Sequence, residues 1–232
     1  MKRLILFTIL FSSTVIAQDN RIAQFSIRRP LIGQESAFQI GFKRHLQWHK
    51  TAGDTWEWYG WFITSGPRQG QFIDATFDHL WSDFDKPVNP AEDNADSDVN
   101  VYPYSDVQSI FKAVLLKDQS GSTTTSLRSK HIRLLRLKVS DVRSGVRILD
   151  RLRASYRTNP DITTYLALKV VDGGDVNELM LMIGFDTWEH YGKTENIQEQ
   201  ISTIEATLKI DVVTSVTSET LAFRPDLSML PQ

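Results

Sequence analysis

The feature that most constrains this chain is an internal echo. The segment Phe77-Asp78-His79-Leu80-Trp81-Ser82-Asp83-Phe84-Asp85-Lys86 matches Phe185-Asp186-Thr187-Trp188-Glu189-His190-Tyr191-Gly192-Lys193 once one residue is skipped, at a separation of 108 residues (185 − 77). A repeat of that length means that one supersecondary unit is used twice, so the plan of one half constrains the other. Upstream of each copy lies a pair of strand-like runs, at residues 56–64 with 72–77 and at 162–171 with 178–184. Ser65-Gly66-Pro67 and Asp172-Gly173-Gly174 join them with residues that permit tight reversal, so each pair reads as a hairpin.

A short strand and a helix precede each hairpin. The strands are residues 23–28 and 131–139, and the helices run over about 34–51 and 140–156. Val142, Leu149 and Tyr156 recur on one face of the second helix, and Pro160 blocks its continuation. After each hairpin a further helix is expected, at 105–117 and 195–209. The first opens with the capping-box pair Ser105 and Gln108 and carries Val107, Ile110, Phe111 and Val114. The second repeats Ile197, Ile201, Ile204 and Leu208 at helical spacing. Ser/Thr-rich strands at 123–129 and 212–223 complete two β-α-β-β-α-β units. Aligning Lys117 with Lys209 gives a separation of 92, which leaves 16 extra residues (108 − 92) in the first half. They are assigned to 87–104, an acidic stretch without apolar periodicity that reads as a surface loop.

This order of elements is the ferredoxin-like split βαβ motif. In it the chain resembles the dimeric α/β-barrel superfamily, whose members include antibiotic-biosynthesis monooxygenases, stress-responsive barrel proteins and NIPSNAP-type proteins. The resemblance implies an α+β fold in which two tandem ferredoxin-like units pair as a pseudo-dimeric α/β barrel within one chain, and therefore a monomer. It rests on element order rather than on a residue motif, and a fold of this kind hosts many functions.

Residues 1–17 read as a secretory signal, with Lys2 and Arg3 ahead of the apolar run from Leu4 to Phe11 and a cleavage site after Ala17. The expected organisation is a signal peptide at 1–17, a first half at 18–129 containing the insertion 87–104, and a second half at 130–232. The expected location is the periplasm or the extracellular medium, with no membrane association after cleavage. Removing Lys2 and Arg3 takes the net charge from −2 to −4 (−2 − 2), which argues against nucleic acid as a partner. The chain has no cysteine, so disulfides, thiolate metal sites and thiol nucleophiles are excluded.

Candidate site residues cluster in the first half. Phe38, Phe42, His45 and His49 fall within an arc of roughly 60° on the first helix, and the i, i+4 spacing of the histidines lets two imidazoles point to one centre. Trp56 and Trp58 share one face of the next strand, while Tyr59 and Trp61 share the other. Together, His45, His49 and His79 supply polar groups and Phe38, Phe42, Trp58 and Trp61 supply walls for a ligand pocket. Aligning Tyr59 with Tyr165 replaces Trp58 and Trp61 by Thr164 and Ala167 in the second half, so the pocket is asymmetric. No metal ligands and no cofactor are assigned: the H-E-x-x-H, phosphate-loop and calcium-loop patterns are absent, and nothing selects haem.

Three readings remain. One is an exported protein that binds a small hydrophobic or aromatic molecule between sheet and helices. Another is a cofactor-independent monooxygenase in which a histidine removes a substrate proton. The third is a structural or interaction protein whose aromatics are fully packed, leaving no ligand-sized cavity.

Overall fold

The structure is a computed structural model that describes residues 21–121, 127–156 and 158–231. The signal sequence expected at 1–17 and most of the strand expected at 123–129 lie outside these residues. The first half comprises β1 (Ile22–Pro30), α1 (Glu35–Thr51), β2 (Tyr59–Ser65), β3 (Phe72–His79), α2 (Pro90–Asn100) and β4 (Ser105–Leu115). The second comprises β5 (His131–Val139), α3 (Val142–Tyr156), β6 (Thr164–Asp172), β7 (Glu178–Phe185), α4 (Trp188–Gly192), α5 (Ile197–Leu208) and β8 (Val213–Phe223).

Two expected elements are corrected. Residues 105–115 form the strand β4, not a helix, and the stretch 87–104 contains the helix α2. In β4 Phe111, Ala113 and Leu115 alternate into the barrel core. Such a short apolar run fits period 2 as well as period 3.6, and β-branched and aromatic content favours the strand. With these assignments the first half needs no insertion, because β4 and β8 begin 108 residues apart (213 − 105). Leu127 to Ser129, expected in a strand, are not in one.

The eight strands are all antiparallel and close into a barrel in the order β1-β3-β2-β8-β5-β7-β6-β4. Each half supplies four neighbouring strands, and β2–β8 and β4–β6 are the two seams. Phe25, Tyr59, Trp61, Phe77, Leu134 and Met182 are among the residues that fill the interior. The helices cover the outside. Under α3 and α5 the sheet presents Leu135, Leu137, Leu181 and Ile183 to Ile148, Leu149 and Leu152.

Cross-strand registers show how the halves correspond. Phe25 pairs with Ala75, which pairs with Tyr59; Leu134 pairs with Met182, which pairs with Leu166. Tyr59 is therefore matched by Leu166, not Tyr165. A slip of one residue exchanges the faces of a strand, and accordingly Tyr59 lies inside the barrel while Tyr165 lies under the helices. Trp58 and Trp61 correspond to Tyr165 and Leu168 rather than to Thr164 and Ala167. Among the described residues no helix is long and apolar enough to cross a membrane.

Candidate metal centre

The buried face of α1 sets up the site. Phe38, Gly41, Phe42, His45 and His49 match Gly145, Ile148, Leu149, Leu152 and Tyr156 of α3 one for one, at a constant separation of 107 (152 − 45). The second half thus places Leu152 and Tyr156 where the first places two histidines. Gly41 lets α2 approach: a Cβ there would lie 1.8 Å from the backbone oxygen of Asn100. At the same position α3 carries Ile148. The close crossing brings the polar face of α2, with Asp93, Asp96 and Asn100, onto the histidines.

The Nε2 atoms of His45 and His49 lie 3.2 Å apart. Asp93 Oδ1 is 3.6 Å from the first and 3.7 Å from the second. Ligand atoms each about 2.1 Å from one ion stand roughly 3.0–3.5 Å from one another, so this triangle is close to the size of a metal-ligand face. The remaining ring nitrogens face carboxylates. His45 Nδ1–H donates to Asp96 Oδ2 at 2.9 Å, and Asp96 Oδ1 accepts from Asn100 Nδ2 at 3.0 Å. His49 Nδ1 is 2.9 Å from Asp54 Oδ2. Asp54 also accepts from the Trp56 backbone N–H and the Trp58 indole N–H, each at 2.9 Å. Carboxylates behind histidines in this manner fix the ring tautomer and raise ligand basicity.

This arrangement restricts the protonation states. With the proton of each ring on the Nδ1 beside its carboxylate, both Nε2 lone pairs face one point beside a third carboxylate. The 3.2 Å separation of the Nε2 atoms is met either by one Nε2–H donating to the other ring or by a cation held between the two lone pairs. Burial lowers the His45 pKa, the hydrogen bond to Asp96 opposes the change, and the nearby His49 lowers it further. For Asp54 burial raises the pKa, but the His49 ring, the Trp56 amide and the Trp58 indole outweigh it and hold the carboxyl below the usual range.

Two cavities meet at the triad. One, of about 260 Å³, is bounded by His49, Asp54, Trp56, Trp58, Phe84 and Asp93. The other, of about 190 Å³, is bounded by Ser26, Arg28, Phe42, His45, Asp74 and Tyr102 among others. Gln24, His49, Trp58 and Asp93 line both, so His49 and Asp93 stand on the partition between them.

The residues expected from the sequence are divided by the structure. His45 and His49 come together, Phe42 and Trp58 line their cavities, and Phe38 packs behind them against Phe72. Trp61 faces the opposite way, stacked on Tyr59 inside the barrel. His79 bonds Thr76 Oγ1 at 2.5 Å and packs on Trp56, lining a separate open cavity of about 540 Å³. Burial lowers its pKa, against the raising effect of Asp83 and Asp78. In the sequence Asp93 and Asp96 read as part of an acidic surface loop without a calcium-binding pattern, and Asp54 and Arg28 carry no site signal. The signal for the two α2 carboxylates was the spacing of Asp93, Asp96, Ser97 and Asn100, a helical stripe made of polar residues.

No family model matches the chain, and no curated protein sequence matches it. Solved structures do resemble it. A provisionally assigned monooxygenase from Lactobacillus acidophilus NCFM superposes with a TM-score of 0.61 at 11% identity, covering 90% of this chain and 95% of its own. An anthrone oxidase-like protein gives 0.58 at 11% identity, covering 90% and 92%. A variant of the chlorite dismutase of Candidatus Nitrospira defluvii gives 0.56 at 8% identity, covering 89% and 92%. At these identities the likeness establishes a shared ferredoxin-like α+β architecture and no shared chemistry.

Proposed function

We propose that this is an exported metalloprotein in which His45, His49 and Asp93 bind one divalent transition-metal ion, and that the adjoining cavities take a small, largely aromatic molecule. The observation that carries the reading is the convergence of two Nε2 atoms and one carboxylate oxygen within 3.7 Å, with each imidazole backed by its own carboxylate. Two histidines and one carboxylate with open positions suit a non-haem iron(II) centre, and zinc is the redox-inert alternative. Bound there, the metal would supply Lewis acidity or electron transfer to a molecule in the cavity. His45 and His49 would hold it as neutral ligands, Asp96 and Asp54 would fix their orientation, and Trp56, Trp58 and Phe84 would exclude water. Oxidation is the reaction class to which the names of the first two structural relatives lend weight.

The remaining organisation belongs to the same proposal. Cleavage after Ala17 releases a mature chain starting at Gln18, a monomer whose halves, 18–129 and 130–232, arose by tandem duplication. The signal-like composition of residues 1–17 and the repeated element order support this.

Metal-free protein titrated with iron(II), zinc and manganese tests the central claim. One equivalent should bind, and His49→Ala and Asp93→Asn should each abolish stoichiometric binding. Wild-type protein that binds no ion while showing a shared-proton signal between the histidines would leave the cofactor-independent reading in its place. N-terminal sequencing of exported protein tests the cleavage.

A further inference from the structure

The smaller cavity contains polar groups that the metal centre does not use. Arg28 points from β1 into the layer between sheet and helices, and its Nε and Nη1 are buried without a hydrogen-bond partner. Asp74 Oδ1 lies 4.0 Å from Nε, a loose ion pair beyond hydrogen-bond reach, and it too has no hydrogen-bond partner. Ser26 Oγ, next along the same face of β1, is a third buried polar atom here, with only the Asp74 carboxyl close by to receive its hydroxyl. The Tyr102 ring covers one side of the guanidinium, with its centroid 5.4 Å from the guanidinium carbon.

These groups are not demanded by the fold. By the strand registers, Ser26, Arg28 and Asp74 correspond to Leu135, Leu137 and Leu181, which the second half packs as ordinary core. A buried donor without a hydrogen-bond partner is costly, and more so when it is charged. Such groups persist where something else completes them. The matching acceptor for a guanidinium is a carboxylate, which meets its paired N–H donors with two oxygens.

Resting on the metal reading above, we propose that Arg28 is a substrate-binding residue and that the substrate class is a small aromatic carboxylic acid. Its carboxylate accepts from Arg28 and from Ser26 Oγ–H, and its ring lies against Phe42 and Trp58, with the metal triad along one side. Phe42, Trp58, His45 and His49 line the same cavity as Arg28, so one molecule can touch all of them. Asp74 competes with the ligand for Arg28. Burial pushes its carboxyl up to about 6 despite Arg28, so above that pH it is the anion that a ligand carboxylate must displace from Arg28.

The test uses mature full-length protein, metal-free and zinc-loaded, with benzoate and benzyl alcohol as probes in calorimetric titrations. Wild type should bind benzoate at least tenfold more tightly than benzyl alcohol. Arg28→Gln should remove that preference and leave zinc stoichiometry intact, Arg28→Lys should keep part of it, and Asp74→Asn should tighten benzoate several-fold. If Arg28→Gln fails to fold, the Arg28→Lys and Asp74→Asn arms still decide. Equal affinity for the two probes, or benzoate binding that needs zinc and ignores Arg28 and Asp74, overturns the proposal. Failure of the metal reading appears separately, as loss of zinc binding with the benzoate arms unchanged in metal-free protein.

Discussion

His45 and Leu152 occupy the same position on equivalent helices of the two halves, one facing a carboxylate and the other an apolar core. A leucine therefore fits beneath such a helix. The variant His45→Leu is expected to fold, because burying the leucine gains about 1.5–3 kcal/mol while Asp96 loses a hydrogen bond of comparable worth. It should bind no stoichiometric metal. Thermal melting and metal analysis on the same sample check both statements, and a variant that retains one tightly bound ion would remove His45 from the centre.

Gly41→Ala should damage the site from a distance. Its Cβ would overlap the Asn100 carbonyl, a backbone atom that cannot rotate away. Displacing α2 carries Asp93 and Asp96 off the histidines and costs about 1–3 kcal/mol as an overpacking change. Metal affinity should fall together with the melting temperature. A variant with unchanged affinity would mean that α2 reaches the histidines without this close crossing.

Asp74 gives a pH-dependent contribution with a definite sign. Its folded-state value of about 6 lies above the usual carboxylate range because of burial, so the folded chain holds this proton more tightly than the unfolded one. The contribution is fully present below about pH 4 and is lost as pH rises through 6. At 1.36 kcal/mol per pKa unit it amounts to roughly 2–3 kcal/mol. Urea denaturation at pH 4.5 and 7.5 should show wild type losing stability relative to Asp74→Asn across that interval, whereas parallel behaviour would place the titration elsewhere.

A buried ion pair ties the halves at one seam. Arg68, in the turn between β2 and β3, binds both oxygens of Glu219 on β8, and Glu219 is 1% exposed. Arg68→Ala leaves that carboxylate buried without its counter-charge and is expected to cost about 3–5 kcal/mol. Restoring an apolar pair with Arg68→Leu and Glu219→Leu together should recover much of the loss, as denaturant titration would show.

The strands of the hairpins, the helix α1 and the histidine pair were legible because each carries its information locally, in turn residues or in periodic spacing. The helix α2 was not. Periodicity searches look for apolar stripes, and the inward stripe of α2 is Asp93, Asp96, Ser97 and Asn100 because it faces imidazoles instead of leucines. The match of Tyr59 to Tyr165 failed for a different reason: identical residues aligned, but only the ladder register tells which face each one presents. Arg28 gave no sign at all. An arginine near the end of a strand usually faces water, and only the depth of the helix layer above β1 makes it a buried cation.

Because both halves lie in one polypeptide, a substitution in one is not copied into the other, as it would be in a symmetric pair of identical chains. The second half keeps a leucine-rich layer under α3 and α5, a source of folding free energy that involves no site. The first half spends part of that surplus on buried charge beneath α1. Tolerance to change should therefore be lopsided: selection on the second half acts through stability, and selection on the first acts through chemistry.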